Sequence, residues 1–214
     1  MLKVYGFSKV NAVARGNTRD LRVLWALEEM QLPYEIVGMD HPAHDLETDA
    51  YRAVNPLHQI PAIDDEGVVL TESAAILIYL AKKSGKLIPR DTAGEAQVVR
   101  WSFAALTSVE APLLALMVHD WTAEGGCAKP RAFLVGWVHR VFGNLERWFA
   151  DREFVATDEF TVADILMAHV LFSGVKDGTL IAPYPVLTAY RDRCLARPAW
   201  QRTIEAYRAR VVAG

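Results

Sequence analysis

Glu72 and Ser73 stand where the β-type run Val68-Val69-Leu70 gives way to a helical run. The free N–H groups at the head of that helix, together with the Ser73 hydroxyl, can bind a carboxylate. Plain helix capping by Thr71 or Ser73 is the competing role. Upstream, in the loop before Ile60-Pro61, the Gln59 amide can donate a hydrogen bond, and His58 can donate or accept according to its tautomer. A solvated loop pair is the alternative there, more so for His58. Asn17 followed by Asp20 fits a cap at the head of an earlier helical run. Metal and disulfide chemistry have little to build on. Cys127 and Cys194 belong to no CxxC pair, which argues against a zinc site or a dithiol centre. His41 and His44 are separated by Pro42, which breaks the spacing that would align them, and no Cys or third His is near.

The elements that must carry these residues can be read from periodicity. Leu2, Val4 and Tyr5 before Gly6 form a short strand, followed by a polar stretch from Ser8 to Asn17. From Arg19, the residues Val23, Ala26, Leu27 and Met30 recur at helical spacing, with Arg22, Glu28 and Glu29 on the wet side, until Pro33. A strand follows at Tyr34 to Val37, then a polar segment with helical potential at Asp49 to Val54. Ile60 to Ile63 and Val68 to Leu70 flank the turn Asp64-Asp65-Glu66-Gly67, giving a hairpin. The next helix runs to Ala81 with Ala75, Ile78 and Tyr79 on its apolar side. The order is βαβ and then ββα.

Beyond Gly85 strand signals almost vanish. Helical runs are read at Glu95 to Asp120, Pro130 to Ala150, Val162 to Val175, Pro185 to Arg197 and Pro198 to Val212. The change marks a domain boundary, giving residues 1–84, a loop over 85–91 and a helical domain over 92–214. Thr161-Val-Ala-Asp164 is a capping-box pattern with Phe160 and Ile165 at staple positions, and its role is structural.

At 214 residues and 52% hydrophobic, the chain can bury a sizeable core without disulfides or a structural metal. Formal charge is −3 in total, −4 over residues 1–84 and +1 beyond, with none of the basic footprint of a nucleic-acid binder. The longest uninterrupted apolar run, Ala111 to Val118, falls far short of the ~18 residues of a membrane span. No secretory leader pattern opens the chain, and unpaired cysteines fit the cytosol. A cytoplasmic protein is the expectation.

The segments Asn55-Pro-Leu-His-Gln-Ile-Pro-Ala-Ile63 and Leu70-Thr-Glu-Ser-Ala-Ala-Ile76 resemble the glutathione-binding half of the glutathione S-transferase family. The Val23-Leu-Trp-Ala-Leu-Glu-Glu29 helix and the Thr161 box resemble the same family in the same order. The likeness covers essentially the whole chain and is to a bacterial-type, non-cysteine branch, since residues 1–84 contain no Cys. It implies an α/β N-terminal thioredoxin-like domain plus an all-α C-terminal helical domain, usually as a homodimer. It also implies a cis peptide bond before Pro61, with the Ile60 backbone pairing the cysteinyl amide of glutathione. Glu72 and Ser73 would take the γ-glutamyl group, and His58 and Gln59 the glycyl carboxylate.

The resemblance sets Thr18, with Asn17 beside it, where the family stabilises the glutathione thiolate. The segment between Gly6 and Arg22 is longer than the family norm, which leaves Ser8, Asn11 and Arg15 as alternatives. Trp101, Phe103, Leu106, Leu114, Met117 and Trp121 would border an electrophile pocket or serve as core. The function implied is a transferase joining glutathione, as co-substrate, to an apolar electrophile in detoxification. A glutathione-dependent carrier of apolar ligands is the alternative, as is a specialised isomerase, dehalogenase or peroxidase. No metal, nucleic acid or membrane is implied.

Overall fold

The computed structural model describes residues 1–122, 128–175 and 178–213. In chain order the elements begin β1 (Leu2–Val10), α1 (Asp20–Met30), β2 (Tyr34–Asp40), α2 (Asp49–Val54), β3 (Ala62–Asp65), β4 (Val68–Thr71) and α3 (Ser73–Ser84). They continue α4 (Thr92–Ala104), α5 (Ala111–Thr122), α6 (Ala128–Trp148), α7 (Val162–Ser173), α8 (Pro185–Leu195), α9 (Pro198–Arg210) and β5 (Val212–Ala213). Two compact units result, one of residues 1–86 with 197–214 and one of 87–196. The chain leaves the first unit inside the 85–91 loop, and α9, grouped with residues 92–214 on sequence pattern, returns to it.

The first unit holds a sheet in the order β2-β1-β3-β4. β1 pairs parallel to β2, with Val4 opposite Ile36, and antiparallel to β3, with Val4 opposite Ile63. β3 and β4 form the hairpin, closed by Glu66 and Gly67, both at positive φ as a two-residue turn of this hand requires. α1 packs on α3 and on α9, where the Trp25 and Trp200 rings lie 4.9 Å apart. This is the thioredoxin-like arrangement.

Three local expectations change. β1 is nine residues long and takes in Ser8, because β2 continues beside it to Asp40 and β5 adds to its far end, Lys9 opposite Val212. Arg22 is not on a wet face: it is 1% exposed, and its guanidinium is bonded inside the unit. The buried face of α3 is Ala74, Ile76, Leu77, Leu80 and Ala81, while Ala75 is exposed. Tyr79 turns aside to donate to Asp65 at 2.7 Å.

The second unit is helical. Asp91 caps α4, accepting from the Gly94 N–H at 2.8 Å. A π-helical turn over Ala105–Glu110 joins α4 to α5. The resulting helix, Thr92–Thr122, is among the described residues the one long and apolar enough to cross a membrane, with a mean hydropathy of 1.5. Counting only uninterrupted apolar residues misses it. Through α4 and the π-helical turn it packs on α7. α7 is buried at every residue from Val162 to Leu171, and the capping box of Thr161 and Asp164 opens it. Asp164 also accepts from the Val155 N–H at 2.8 Å and the Tyr190 hydroxyl at 2.9 Å, so this buried carboxylate fastens a loop and a second helix to α7.

Candidate functional site

Strand register gathers the candidate residues of the first unit. Ala62 lies opposite Thr71 on one side and opposite Tyr5 on the other. One residue back along β3, the Ile60–Pro61 peptide therefore runs beside Glu72 at the head of α3 and beside Gly6 of β1. That peptide bond is cis. Residues 55–61 leading to it are held from within by Asn55, itself 2% exposed. Asn55 Nδ2 donates to the Gln59 carbonyl at 2.6 Å, and its Oδ1 accepts from the Leu57 N–H at 3.0 Å. Tyr51 donates to the same Gln59 carbonyl at 2.7 Å, and burial pushes its phenol pKa up to about 12, so it stays a donor at neutral pH. With the Gln59 carbonyl held twice, the Gln59 side chain is left exposed and His58 half exposed, at a φ of +54°.

At the head of α3 the first intrahelical bond runs from Ile76 N–H to the Glu72 carbonyl. The N–H groups of Ser73, Ala74 and Ala75 therefore have no acceptor within the helix. Glu72 is exposed, adopts a φ of +66° and makes no side-chain cap. Ser73 is buried, and its Oγ accepts from Arg22 Nη1 at 3.2 Å. The arrangement is a helix N-terminus with a cation behind its serine, which favours an anion in front.

At the head of α1, Arg19 occupies the cap position without a capping side chain, so Asn17 does not act as the cap. The loop from Asn11 is a run of tight turns closed by Ala14 N–H to Asn11 and Asn17 N–H to Ala14, with Gly16 at a φ of +84°. Thr18 is buried, its Oγ1 donating to the Tyr207 hydroxyl on α9 at 2.6 Å, with Asp20 close by. Its one hydroxyl proton is committed to Tyr207. Asp20 is fully buried under β1, where Oδ2 accepts from the Phe7 N–H at 3.0 Å and Oδ1 has no partner among the described residues. Burial raises its pKa against the opposing pull of Thr18, Phe7 and Arg210. The Asn17 side-chain amide is half exposed and makes no hydrogen bond to a described residue. Ser8 lies within β1 with its Cβ near Gly38, and Arg15 donates to the Arg208 carbonyl at 2.6 Å.

The structure thus brings Ile60, Pro61, Glu72 and Ser73 together, with Asn17 and Thr18 in the loop that leads into α1. Arg22, Asn55, Tyr51, Asp20 and Tyr207 support them; of these, sequence placed only Asn55, at the turn that opens the Asn55–Ile63 motif, and Asp20, as a capping partner of Asn17, in the neighbourhood of the site. Arg22 carried no signal beyond a charge inside an apolar stripe. His44 pairs with Glu47 at 3.0 Å and His41 lies edge-on to Phe7, and no group of three potential metal ligands occurs among the described residues. Cys194 is buried on α8, while Cys127 lies outside the described residues.

In the second unit the apolar stripe divides. Trp101 is core, 4.9 Å from Trp148, whereas Phe103, Leu114 and Trp121 are exposed. Met117 and Trp121 line a cavity of about 330 Å³ with Leu113, Leu116, Val135 and Leu180, and the Asp120–Arg131 ion pair forms part of its wall.

Residues 21–83 match the model of the glutathione S-transferase N-terminal domain, and residues 134–198 that of the glutathione S-transferase C-terminal domain. Glutathione S-transferase 1 of Triticum aestivum is 30% identical, the match covering 94% of this chain and 92% of that protein. A probable maleylacetoacetate isomerase 2 of Drosophila melanogaster is 26% identical, over 84% of this chain and 80% of the relative. The crystal structure of a glutathione transferase from Burkholderia graminis, with two glutathione molecules bound per subunit, superposes with a TM-score of 0.81 at 29% identity, covering 96% of this chain and 88% of that one. Two matching domain models, a relative alike over nearly its whole length and a shared fold lead to one conclusion: the chain belongs to the glutathione S-transferase family.

Proposed function

We propose that the first unit binds glutathione where the Ile60–Pro61 backbone meets the heads of α1 and α3, and that the protein transfers its thiol to an apolar electrophile. The observation that carries this is the pairing register that sets an open peptide edge at Ile60 beside an unsatisfied helix N-terminus at Ser73. An amide and a carboxylate on one ligand match these two features. In this reading the α3 N–H groups and the Ser73 hydroxyl hold the γ-glutamyl carboxylate, with Arg22 lending positive charge through Ser73. Glu72 pairs with the ammonium. Ile60 meets the cysteinyl amide, and His58 and Gln59 the glycyl carboxylate.

Glutathione supplies a thiolate whose sulfur forms the new bond to carbon, while a leaving group or an adjacent unsaturated bond takes up the displaced electron pair. The chain's part is to make that thiolate cheap to carry near neutral pH, because a free thiol has a pKa of about 8.5. The Asn17 amide is the open donor for the task and the positive end of α1 supports it. Thr18, whose proton is used internally, holds the loop rather than the sulfur. Alignment of both reactants supplies most of the remaining acceleration. An apolar second reactant is supported by the cavity lined by Met117 and Trp121. The similarity to a probable isomerase favours a second reading, in which the thiolate adds to an unsaturated substrate and leaves again.

Turnover with glutathione against aryl halides, isothiocyanates, hydroperoxides and cis-dienoic acids tests these readings. Conjugates from either of the first two classes are the expected result. Rearranged acid without conjugate selects the isomerase, and tight glutathione binding with no turnover anywhere contradicts both in favour of a carrier. A cytoplasmic location and a homodimer belong to the same proposal; light scattering should return twice the 23.8 kDa chain mass, and a concentration-independent monomer would contradict the dimer.

A further inference from the structure

The C-terminal segment returns to the first unit and closes on the loop that carries Asn17. Tyr207 of α9 is 1% exposed, and its phenol oxygen accepts from that loop. Thr18 Oγ1 donates to it at 2.6 Å, and the buried Gly16 lies close by. These are the residues immediately after and before Asn17. One oxygen on a packed helix therefore holds the residue that follows the proposed thiolate donor and sits beside the one that precedes it. Burial pushes the Tyr207 phenol up to about 12, so it remains un-ionised across the working pH range.

The grip has support on both flanks. Arg15 donates to the Arg208 carbonyl at 2.6 Å, and Arg210 donates to the Phe7 carbonyl of β1. Beyond α9, Val212 and Ala213 pair in parallel with Lys9 and Val10, the last residues of β1 before the loop. Arg197, which precedes α9, makes a two-pronged bond to Glu29 of α1 at 2.6 and 2.9 Å, and Arg202 meets Glu28. Helix α9 is thereby anchored to the same helix whose N-terminus the loop enters. The loop from Asn11 to Arg19, exposed over Asn11 to Val13, would otherwise sample many conformations, since each residue fixed costs roughly 1–2 kcal/mol of backbone entropy.

We propose that Tyr207 is a positioning residue for the transfer reaction: its hydroxyl, through Thr18, holds Asn17 where its amide meets the thiolate. It touches no reactant itself. This rests on the glutathione reading above, and it extends the functional site to the end of the chain. Removing the hydroxyl alone should loosen residues 16–18 without disturbing the γ-glutamyl site at Ser73.

The test is Tyr207→Phe, which keeps the ring packed in α9. Two readouts are taken: hydrogen exchange of the amides at residues 14–18 in the ligand-free protein, and titration of the bound glutathione thiol alongside its binding constant. Exchange at residues 16–18 should quicken. The bound thiol pKa should rise by about one unit, as loss of a hydrogen bond to a charged group implies, and kcat near neutral pH fall by about threefold, the smaller thiolate fraction being partly offset by the greater nucleophilicity of a more basic thiolate, while Kd for glutathione stays within about threefold. Asn17→Ala should give the same thiol shift, and combining it with Tyr207→Phe should add nothing further, because both act on one contact. Faster exchange with an unmoved thiol titration would overturn the positioning role and leave Tyr207 as a structural clamp. Unchanged exchange would overturn the grip itself. Failure of the wild-type protein to bind glutathione would instead strike the parent reading, so the two failures are told apart.

Discussion

Asn17 and Thr18 are adjacent residues with opposite fates. Thr18 looks the better thiolate donor in sequence, yet its hydroxyl is buried between Tyr207 and Asp20, while the Asn17 amide stays open. Asn17→Ala should therefore raise the pKa of bound thiol by about one to two units, the worth of a hydrogen bond to a charged group, with the fold intact. Thr18→Ala should act mainly on stability, costing about 1–3 kcal/mol because Tyr207 loses a buried partner. Thiolate absorbance titration and denaturant unfolding on both variants separate the roles, and a thiol shift confined to Thr18→Ala would reverse the assignment. Nothing in the sequence could have made this distinction, because Tyr207 lies 189 residues away from Thr18. The motif from Asn55 to Ile63 was legible because its chemistry is local: a turn-forming Asn-Pro, an X-Pro bond and a strand.

Among the elements, helices with a clean period and strands bounded by turns were readable, including α2 at Asp49–Val54 and the capping box that starts α7. What escaped depended on partners remote in the chain. β1 runs past Gly6 where β2 and β5 supply edges for it, and the buried Arg22 donates to Ser73 of α3. The hairpin and α3 are joined by another such contact, the Asp65–Lys83 ion pair, with Asp65 4% exposed on its side chain and Lys83 49%. The Lys83 ammonium, helped by Tyr79, holds the Asp65 carboxyl below its usual range despite its burial. A carboxylate with a depressed folded pKa gives stability that is complete above its unfolded value of about 3.9 and lost as pH falls through the folded pKa. Lys83→Met should accordingly lower stability at neutral pH and bring acid unfolding of the protein to a higher pH. An acid midpoint that does not move, followed by circular dichroism at low salt, would mean the exposed lysine is too well screened to matter.

For the whole molecule, the two family domains account for the architecture, while the proposed reaction rests on one locality in the first unit. The last helix and strand belong to that locality through Tyr207, Arg210 and β5, although composition groups them with the helical half. The central claim is that the backbone at Ile60 and the N-terminus of α3 at Ser73 form the glutathione site. Calorimetric titration of glutathione into the wild-type protein, Ser73→Ala and Glu72→Ala tests it most directly, with circular dichroism to verify folding. The account predicts binding by the wild type and a loss of about tenfold or more in each variant, since each removes a hydrogen-bonded or ionic partner of the γ-glutamyl group. Equal affinity in all three proteins, or no binding by the wild type, would contradict it.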